Sequence, residues 1–385
     1  LICSNIKDFK FINEIFGMEK GNQVLIKQAK LMASNPSERT ICARLMNDRF
    51  ALCLPREEFD EKRVADSIKE LQREFSGNSF HLHTYMGVYE IRDRDEAVSI
   101  MVDKANIAAD TIKNNYDCCV AYYDEHLLEI SIEQRRLLGE FEPALQNDEF
   151  VMYLQPQVKR DGAAKGAEAL VRWVHPSRGI LTPYAFIDIL ENAGLIYKLD
   201  LYIWEKAAQK LAEWKEKGYG SYHISVNIST KDFYIIDIYE TFTGLINKYG
   251  IAASNLHLEI TETTLMTDFE KNMNIIHKLQ GVGFRVEIDD FGSGYSSLNM
   301  LKDISADVLK IDMGFLRKSE NEVKGQDILE SIITLAGKIG MDVITEGVET
   351  KKQLDMLTMM GCHEFQGYYF SKPVPVSEFE EKYLV

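Results

Sequence analysis

No stretch of the 385-residue chain approaches the ~20 consecutive apolar residues that a bilayer-spanning helix needs. No basic, apolar and small-residue succession at its start marks a secretory signal. These absences lead us to expect a cytoplasmic protein. Leu1 already lies inside a strand-like run, so we also expect chain upstream of it, a sensor region or a membrane attachment. Basic residues are in short supply, 44 Lys and Arg against 60 Asp and Glu, for a net charge of −16. That excludes a groove for DNA or RNA, which needs a basic surface. It leaves room for a small anion, because bound cations can invert the local field. The six cysteines, Cys3, Cys42, Cys53, Cys118, Cys119 and Cys362, contain no Cys-x-x-Cys pair and no zinc spacing, and they read as reduced thiols.

What is present is rhythm. Residues 1–122 read as a small α/β domain: helix 11–34, strands 40–46 and 49–54, helix 60–75, strand 80–90 and helix 95–114. A charged amphipathic helix in 123–145 reads as a connector. From 146 to 385, strand-like runs recur at 150–155, 167–173, 222–228, 256–260, 284–289, 307–311, 342–345 and 364–369. Helical stretches separate most of them, at 183–193, 199–217, 231–249, 268–281, 324–340 and 350–360. Alternation of this kind predicts a mostly parallel sheet. Eight such strands in about 240 residues predict a closed (βα)8 barrel.

The polar residues fall in one place. Asn227, Glu259, Asp289-Asp290, Lys310, Glu346 and Gln366 each stand at or just beyond the end of an apolar run. In a parallel barrel that rim carries the active site. The run Glu168-Ala-Leu-Val-Arg-Trp173 adds Glu168 and Arg172, which alternation puts on one strand face. Burial of both needs a reason: a salt bridge between them, or a metal ligand beside a phosphate-binding Arg. Several carboxylates and one amide, with no His or Cys, suit Mg²⁺ or Mn²⁺. Adjacent Asp289 and Asp290 can serve two ions, and two ions suit hydrolysis of a phosphate ester. Lys310 could offset phosphate charge or orient water, and Glu346 could be a second-metal ligand or a general base. The Gly- and Ser-rich run 290–297 reads as a loop that gates the site.

These motifs resemble the EAL family of cyclic di-GMP phosphodiesterases over about 145–385. They are Leu154-Gln-Pro156, Glu168-Ala-Leu170 with Arg172 and Trp173, His175-Pro176, Val226-Asn-Ile-Ser229, Leu258-Glu-Ile-Thr-Glu262, Asp289-Asp-Phe-Gly-Ser-Gly-Tyr-Ser-Ser-Leu298, Leu309-Lys-Ile-Asp312, Glu346-Gly-Val-Glu-Thr350 and Gln366-Gly-Tyr-Tyr-Phe-Ser-Lys-Pro373. The resemblance implies a modified (βα)8 barrel with one antiparallel strand, and hydrolysis of cyclic di-GMP to linear pGpG with two divalent cations. It implies Glu168, Asn227, Glu259 and Asp289 as ligands of the first cation, and Asp289, Asp290 and Glu346 for the second. Glu346 would also be the base. Lys310 would position water or bind phosphate, and Glu262 would anchor the loop after Asp290. Gln155, Arg172, Gln366 and Asp312 would contact the dinucleotide. A homodimer through this domain, with the helix around 315–338 near the contact, follows by the same likeness. One residue departs from the pattern. Glu287 shares a face with Asp289 where a small or apolar residue is common, and it either perturbs the metal site or pairs with a cation.

Residues 1–122 resemble a decayed GGDEF diguanylate cyclase domain. The signature reads Met46-Asn-Asp-Arg-Phe50, without the glycines that admit a nucleotide. The segment Asn5-Ile-Lys-Asp8-Phe-Lys10 begins with Asn in place of Asp, and Asn22 also replaces an Asp. Asn13 and Gly17 remain. Ser37 and Thr40 stand where an inhibitory Arg-x-x-Asp site would be. The resemblance therefore implies a scaffold or dimerisation module. For the second domain it implies an enzyme ahead of the alternative, a receptor that binds cyclic di-GMP without cleaving it, because receptors usually lose metal ligands that are kept here.

Overall fold

The computed structural model describes residues 1–7, 9–33, 37–75, 82–113, 115, 118–291, 304–314 and 322–384. It divides into two compact units, Leu1–Arg136 and Leu137–Val385. The division falls inside one 22-residue helix, Glu125–Gln146, which covers most of the stretch expected to be a connector.

The first unit is a five-stranded sheet with helices. Its strands are β1 (Ile2–Ile6), β2 (Ile41–Arg44), β3 (Phe50–Cys53), β4 (Thr84–Val88) and β5 (Val120–Tyr122), in the order β2-β3-β1-β4-β5. Only the β4–β5 pair is parallel. The helix Glu61–Phe75 packs through Ile68 and Leu71, three residues apart and so on one face. The helix Val98–Thr111 presents Ala105, Ala108 and Ala109, and it approaches β4 so closely that a Cβ at Gly87 would lie 1.8 Å from the Ala105 carbonyl oxygen. The helix expected at 11–34 runs from Phe9 to Met32 and breaks at Gly17, whose φ of +82° is outside the helical range.

The second unit is a closed barrel. Its strands are β6 (Phe150–Lys159), β7 (Ala164–His175), β8 (Gly179–Leu181), β9 (His223–Ile228), β10 (Leu256–Thr261), β11 (Val286–Phe291), β12 (Val308–Asp312), β13 (Asp342–Glu346), β14 (Glu364–Phe365) and β15 (Val374–Pro375). Eight of them close the barrel in the order β6-β7-β9-β10-β11-β12-β13-β14, with β14 returning to β6. β6 is antiparallel to both neighbours while β7 and β9 to β14 run parallel.

The antiparallel strand has a local cause. Only four residues join β6 to β7, too few for the crossover that a parallel pair needs. Gly162, at φ +86°, donates its N–H to the Lys159 carbonyl, and Asp161 Oδ1 accepts from the Ala163 N–H, so the turn is closed. The sequence rhythm understated this hairpin, whose strands outrun the expected 150–155 and 167–173. It overstated the last barrel strand, where pairing covers only Glu364 and Phe365. The helix expected at 231–249 is two, Asp232–Ile235 and Ile238–Tyr249, because the Asp237 carboxylate caps the second by accepting from the Glu240 N–H.

The barrel wall is the chain's largest core. Trp173, Trp204, Trp214, Phe150, Phe186, Phe242 and Phe379 are all fully buried between strands and outer helices. The inward positions of the strands are different. Gln155, Gln157, Glu168, His223, Ser225, His257, Glu259, Glu287, Lys310 and Gln366 are buried polar groups. A polar barrel interior is costly unless its groups satisfy one another, and their pairing defines the site.

Candidate active site

Lys310, on β12, is fully buried and stands at the focus of four carboxylates. Its Nζ lies 2.7 Å from Glu346 Oε1, 2.8 Å from Glu259 Oε2, 3.3 Å from Asp289 Oδ1 and 3.4 Å from Glu168 Oε2. These acids come from β13, β10, β11 and β7, so no local segment could assemble them. Glu168 is held further by two amides. Asn227 Nδ2 donates to its Oε1 at 3.0 Å, and Gln366 Nε2 donates to its Oε2 at 2.5 Å. Gln366 also donates to Gln155 Oε1 at 3.2 Å, and Gln155 donates to the Ser371 carbonyl at 3.3 Å.

The Asp289-Asp290 pair sits on a β-bulge. Ile288 pairs with Leu309 and Phe291 with Ile311, so β11 carries one residue more than β12 over this interval. Asp290 takes up the difference at φ +55°, a conformation that Asp tolerates better than most side chains. The bulge breaks the alternation that would bury one acid and expose the other on opposite faces. Asp289 reaches Lys310 while Asp290 stays exposed at the rim.

Four carboxylates around one ammonium leave a formal excess of three negative charges. Their proton affinities split accordingly. Burial, opposed by Lys310, pushes the Glu346 carboxyl up to about 8. Burial and then the neighbouring Glu168 push Glu259 well above the carboxylate range. Glu168 goes the other way: burial would raise it, but Lys310, Gln366 and Asn227 together bring it down. Lys310 is itself held charged, its burial outweighed by the acids around it, Asp289 first. Glu259 Oε1 and Gln366 Oε1 are buried with no hydrogen-bond partner among the described residues. Oxygen-rich donors, excess negative charge and an unpartnered carboxylate oxygen fit hard divalent cations.

Of the other expected site residues, Asp312 pairs in register with Glu346 across β12 and β13, and its Oδ1 accepts from the Gly314 N–H at 2.8 Å. Arg172 does not bridge to Glu168, the salt bridge that their shared face suggested. Its guanidinium lies over the Tyr153 ring, 5.4 Å from the centroid, and donates to the Val171 carbonyl. Glu262 opens the helix Glu262–Thr267, just after Thr261, whose hydroxyl accepts from the Thr264 N–H. The loop it was expected to anchor, 292–303, lies outside the described residues, as do residues 315–321 of the expected dimer contact. Glu287 pairs with a histidine: its Oε1 lies 2.6 Å from His257 Nδ1 and accepts from Ser225 Oγ at 3.2 Å. The histidines beside it escaped the sequence reading. The signal was present, because His223 precedes Asn227 by four residues and His257 precedes Glu259 by two, on the same strand faces.

In the first unit the decayed signature forms the tip of the β2–β3 hairpin. Asn47 takes φ +53°, and Met46 is exposed. Asn5 spends its side chain internally, donating to Tyr85 Oη at 2.9 Å and accepting from the Ile6 N–H at 3.1 Å. Asp48 Oδ2 accepts from that same N–H at 3.1 Å. Asp8 lies outside the described residues. All six cysteines are free thiols, and no helix among the described residues is long and apolar enough to cross a membrane.

Comparison with known proteins agrees with the geometry. Residues 139–373 match the EAL domain family model, and residues 1–117 match that of the diguanylate cyclase GGDEF domain. The bifunctional diguanylate cyclase/cyclic di-GMP phosphodiesterase MucR of Pseudomonas aeruginosa is 30% identical over 388 residues, covering 98% of this chain and 56% of its own. The cyclic di-GMP phosphodiesterase PdeR of Escherichia coli is 27% identical over 387 residues, covering 100% of this chain and 58% of its own. The chain thus spans little more than half the length of these relatives. A solved structure described as the PaMucR phosphodiesterase in complex with c-di-GMP superposes with a TM-score of 0.60 at 33% identity, over 63% of this chain and 99% of that one. The eight-stranded barrel, its antiparallel β6, the acidic rim and these matches together establish that the chain belongs to the EAL domain family, with a GGDEF-type domain preceding it.

Proposed function

We propose that the chain hydrolyses cyclic di-GMP to linear pGpG at the barrel rim, using two divalent cations, Mg²⁺ or Mn²⁺. The observation that carries this reading is the convergence of Glu168, Glu259, Asp289 and Glu346 on one buried ammonium, with Glu259 Oε1 left unpartnered. The relatives named as cyclic di-GMP phosphodiesterases support it. Glu168, Asn227, Glu259 and Asp289 would hold the first cation, and Asp289, Asp290 and Glu346 the second. Bound there, the pair supplies an activated water and charge stabilisation for the departing oxygen.

The chain's own groups do the rest. Asn227 turns its amide nitrogen to Glu168, which leaves its oxygen for a cation. Gln366 and Gln155 fix Glu168 from the other side. Glu346 is the base that takes a proton from the attacking water. The water oxygen bonds to phosphorus, the P–O3′ bond breaks, O3′ takes a proton from solvent to leave as the 3′-hydroxyl of pGpG, and Lys310 offsets the charge that builds up. Arg172, Asp312, Gln155 and Gln366 contact the dinucleotide, and Glu262 steadies the loop after Asp290. The first unit serves as a scaffold, since Asn5 and Asp48 are committed to its own backbone. A homodimer through the second unit and a cytoplasmic location complete the proposal.

The test is product analysis. Purified chain with cyclic di-GMP and Mn²⁺ should yield pGpG, and a chelator should stop it. Binding without product under every metal condition would replace the enzyme reading with a receptor.

Cation binding should also expel protons. Glu346 is raised to about 8, so it holds a proton near pH 7 that a cation displaces, and the raised Glu259 moves in the same direction. Affinity for Mn²⁺ should therefore climb with pH up to about 8, by about tenfold per pH unit for each proton released. Calorimetry in buffers of different ionisation enthalpy reads the proton count directly. A count of zero at pH 7 would mean that the cation does not enter this cluster.

A further inference from the structure

The base of the barrel, at the opposite strand ends from the rim, carries a second cluster. His223 is the first residue of β9, while His257 and Glu287 are the second residues of β10 and β11. All three are buried, Glu287 completely. One ligand atom from each lies within 4.8 Å of the others. They line a cavity of about 680 Å³ at the barrel base, with Arg285, Asp342 and Lys165 among its other walls.

The hydrogen bonds leave a valence problem. His257 Nε2 lies 3.2 Å from the Ser254 carbonyl, which can only accept, so that nitrogen carries a proton. In a neutral ring Nδ1 is then a bare lone pair, yet it faces Glu287 Oε1 at 2.6 Å. Either a second proton or a cation must reconcile them. Glu287 Oε2, in the same buried side chain, has no hydrogen-bond partner among the described residues. The His223 ring stacks on His257 at 3.8 Å and 6°. Its Nε2 lies 2.7 Å from Gln157 Oε1, which leaves Nδ1 as its ligand atom. The ring lies hard against Gly166, where a Cβ would sit 2.4 Å from it.

We infer that His223, His257 and Glu287 form a second metal site, for a borderline ion of the zinc class. Two imidazoles and one carboxylate suit zinc, and the fourth position opens on the cavity. The all-oxygen rim suits harder ions, so the two ends of one barrel select different metals. Coordination requires one of the stacked rings to tilt, and the adjoining cavity gives it room.

Equilibrium dialysis of Zn²⁺ against the whole chain, in excess Mg²⁺, tests this. Co²⁺ is the optical probe for low-symmetry nitrogen and oxygen coordination. We expect one Zn²⁺ per chain. We expect His257→Gln and Glu287→Gln to weaken it at least about tenfold, with loss of the Co²⁺ visible bands. Thermal melts confirm folding, and Glu287→Gln decides alone if His257→Gln does not fold, because it keeps side-chain shape. No Zn²⁺ binding by the native chain, or unchanged affinity in the folded variants, overturns the site and leaves a protonated His257 as the partner of Glu287.

Discussion

Asp289→Asn should lower cyclic di-GMP turnover by at least about 10²–10³-fold, the scale of losing one charge-stabilising group at a reaction centre. Asp289 is the one acid that both cations share in the proposed site, and it lies 3.3 Å from Lys310. Asn keeps its size and one oxygen but removes the charge that a bridging ligand needs. The fold should survive, because Asp289 is an inward rim group on a strand whose apolar residues, Val286, Ile288 and Phe291, are untouched. Initial rates over a range of Mn²⁺ concentrations, with a thermal melt alongside, separate the possibilities. Turnover within a fewfold of the native chain at saturating Mn²⁺ would remove Asp289 from the cation site.

Lys310→Met should be the most destabilising substitution in the barrel interior. It leaves Glu168, Glu259, Asp289 and Glu346 without their common counter-ion in a buried site. Breaking a buried ion pair from one side costs about 3–5 kcal/mol, and here one ammonium serves four partners. The pH dependence fixes the mechanism. Without the ammonium, Glu346 and Glu259, already raised by burial, rise further above their unfolded values, and Glu168 loses a charge that holds it down. The folded variant then binds more protons than the unfolded chain, and its stability falls as pH rises through that window. Urea denaturation in a chelator should show a far larger deficit at pH 8 than at pH 5, and divalent cations should recover part of it. An equal deficit at both pH values would mean that Lys310 acts by packing rather than by charge.

Much of this was legible without coordinates. Strand-like runs alternating with helical ones specified a barrel, because the inside-outside period of each element is local. The rim acids were visible for the same reason: each stands where its own apolar run ends. The β6–β7 reversal was implied only by the family resemblance, and its short turn shows once the strands' true bounds are known. Tertiary structure decided the pairings. Lys310 draws acids from four strands, and Glu168 finds its amide partner 198 residues away in Gln366. Arg172 turned to Tyr153 instead of Glu168. The Asp289-Asp290 bulge depends on the register with β12, and the stacked histidines depend on β9 and β10 lying side by side. Periodicity tells which face a residue takes, since that is set by its own backbone. Which group it meets there is set by strand order and stagger around the closed barrel, and those exist only once the chain has folded.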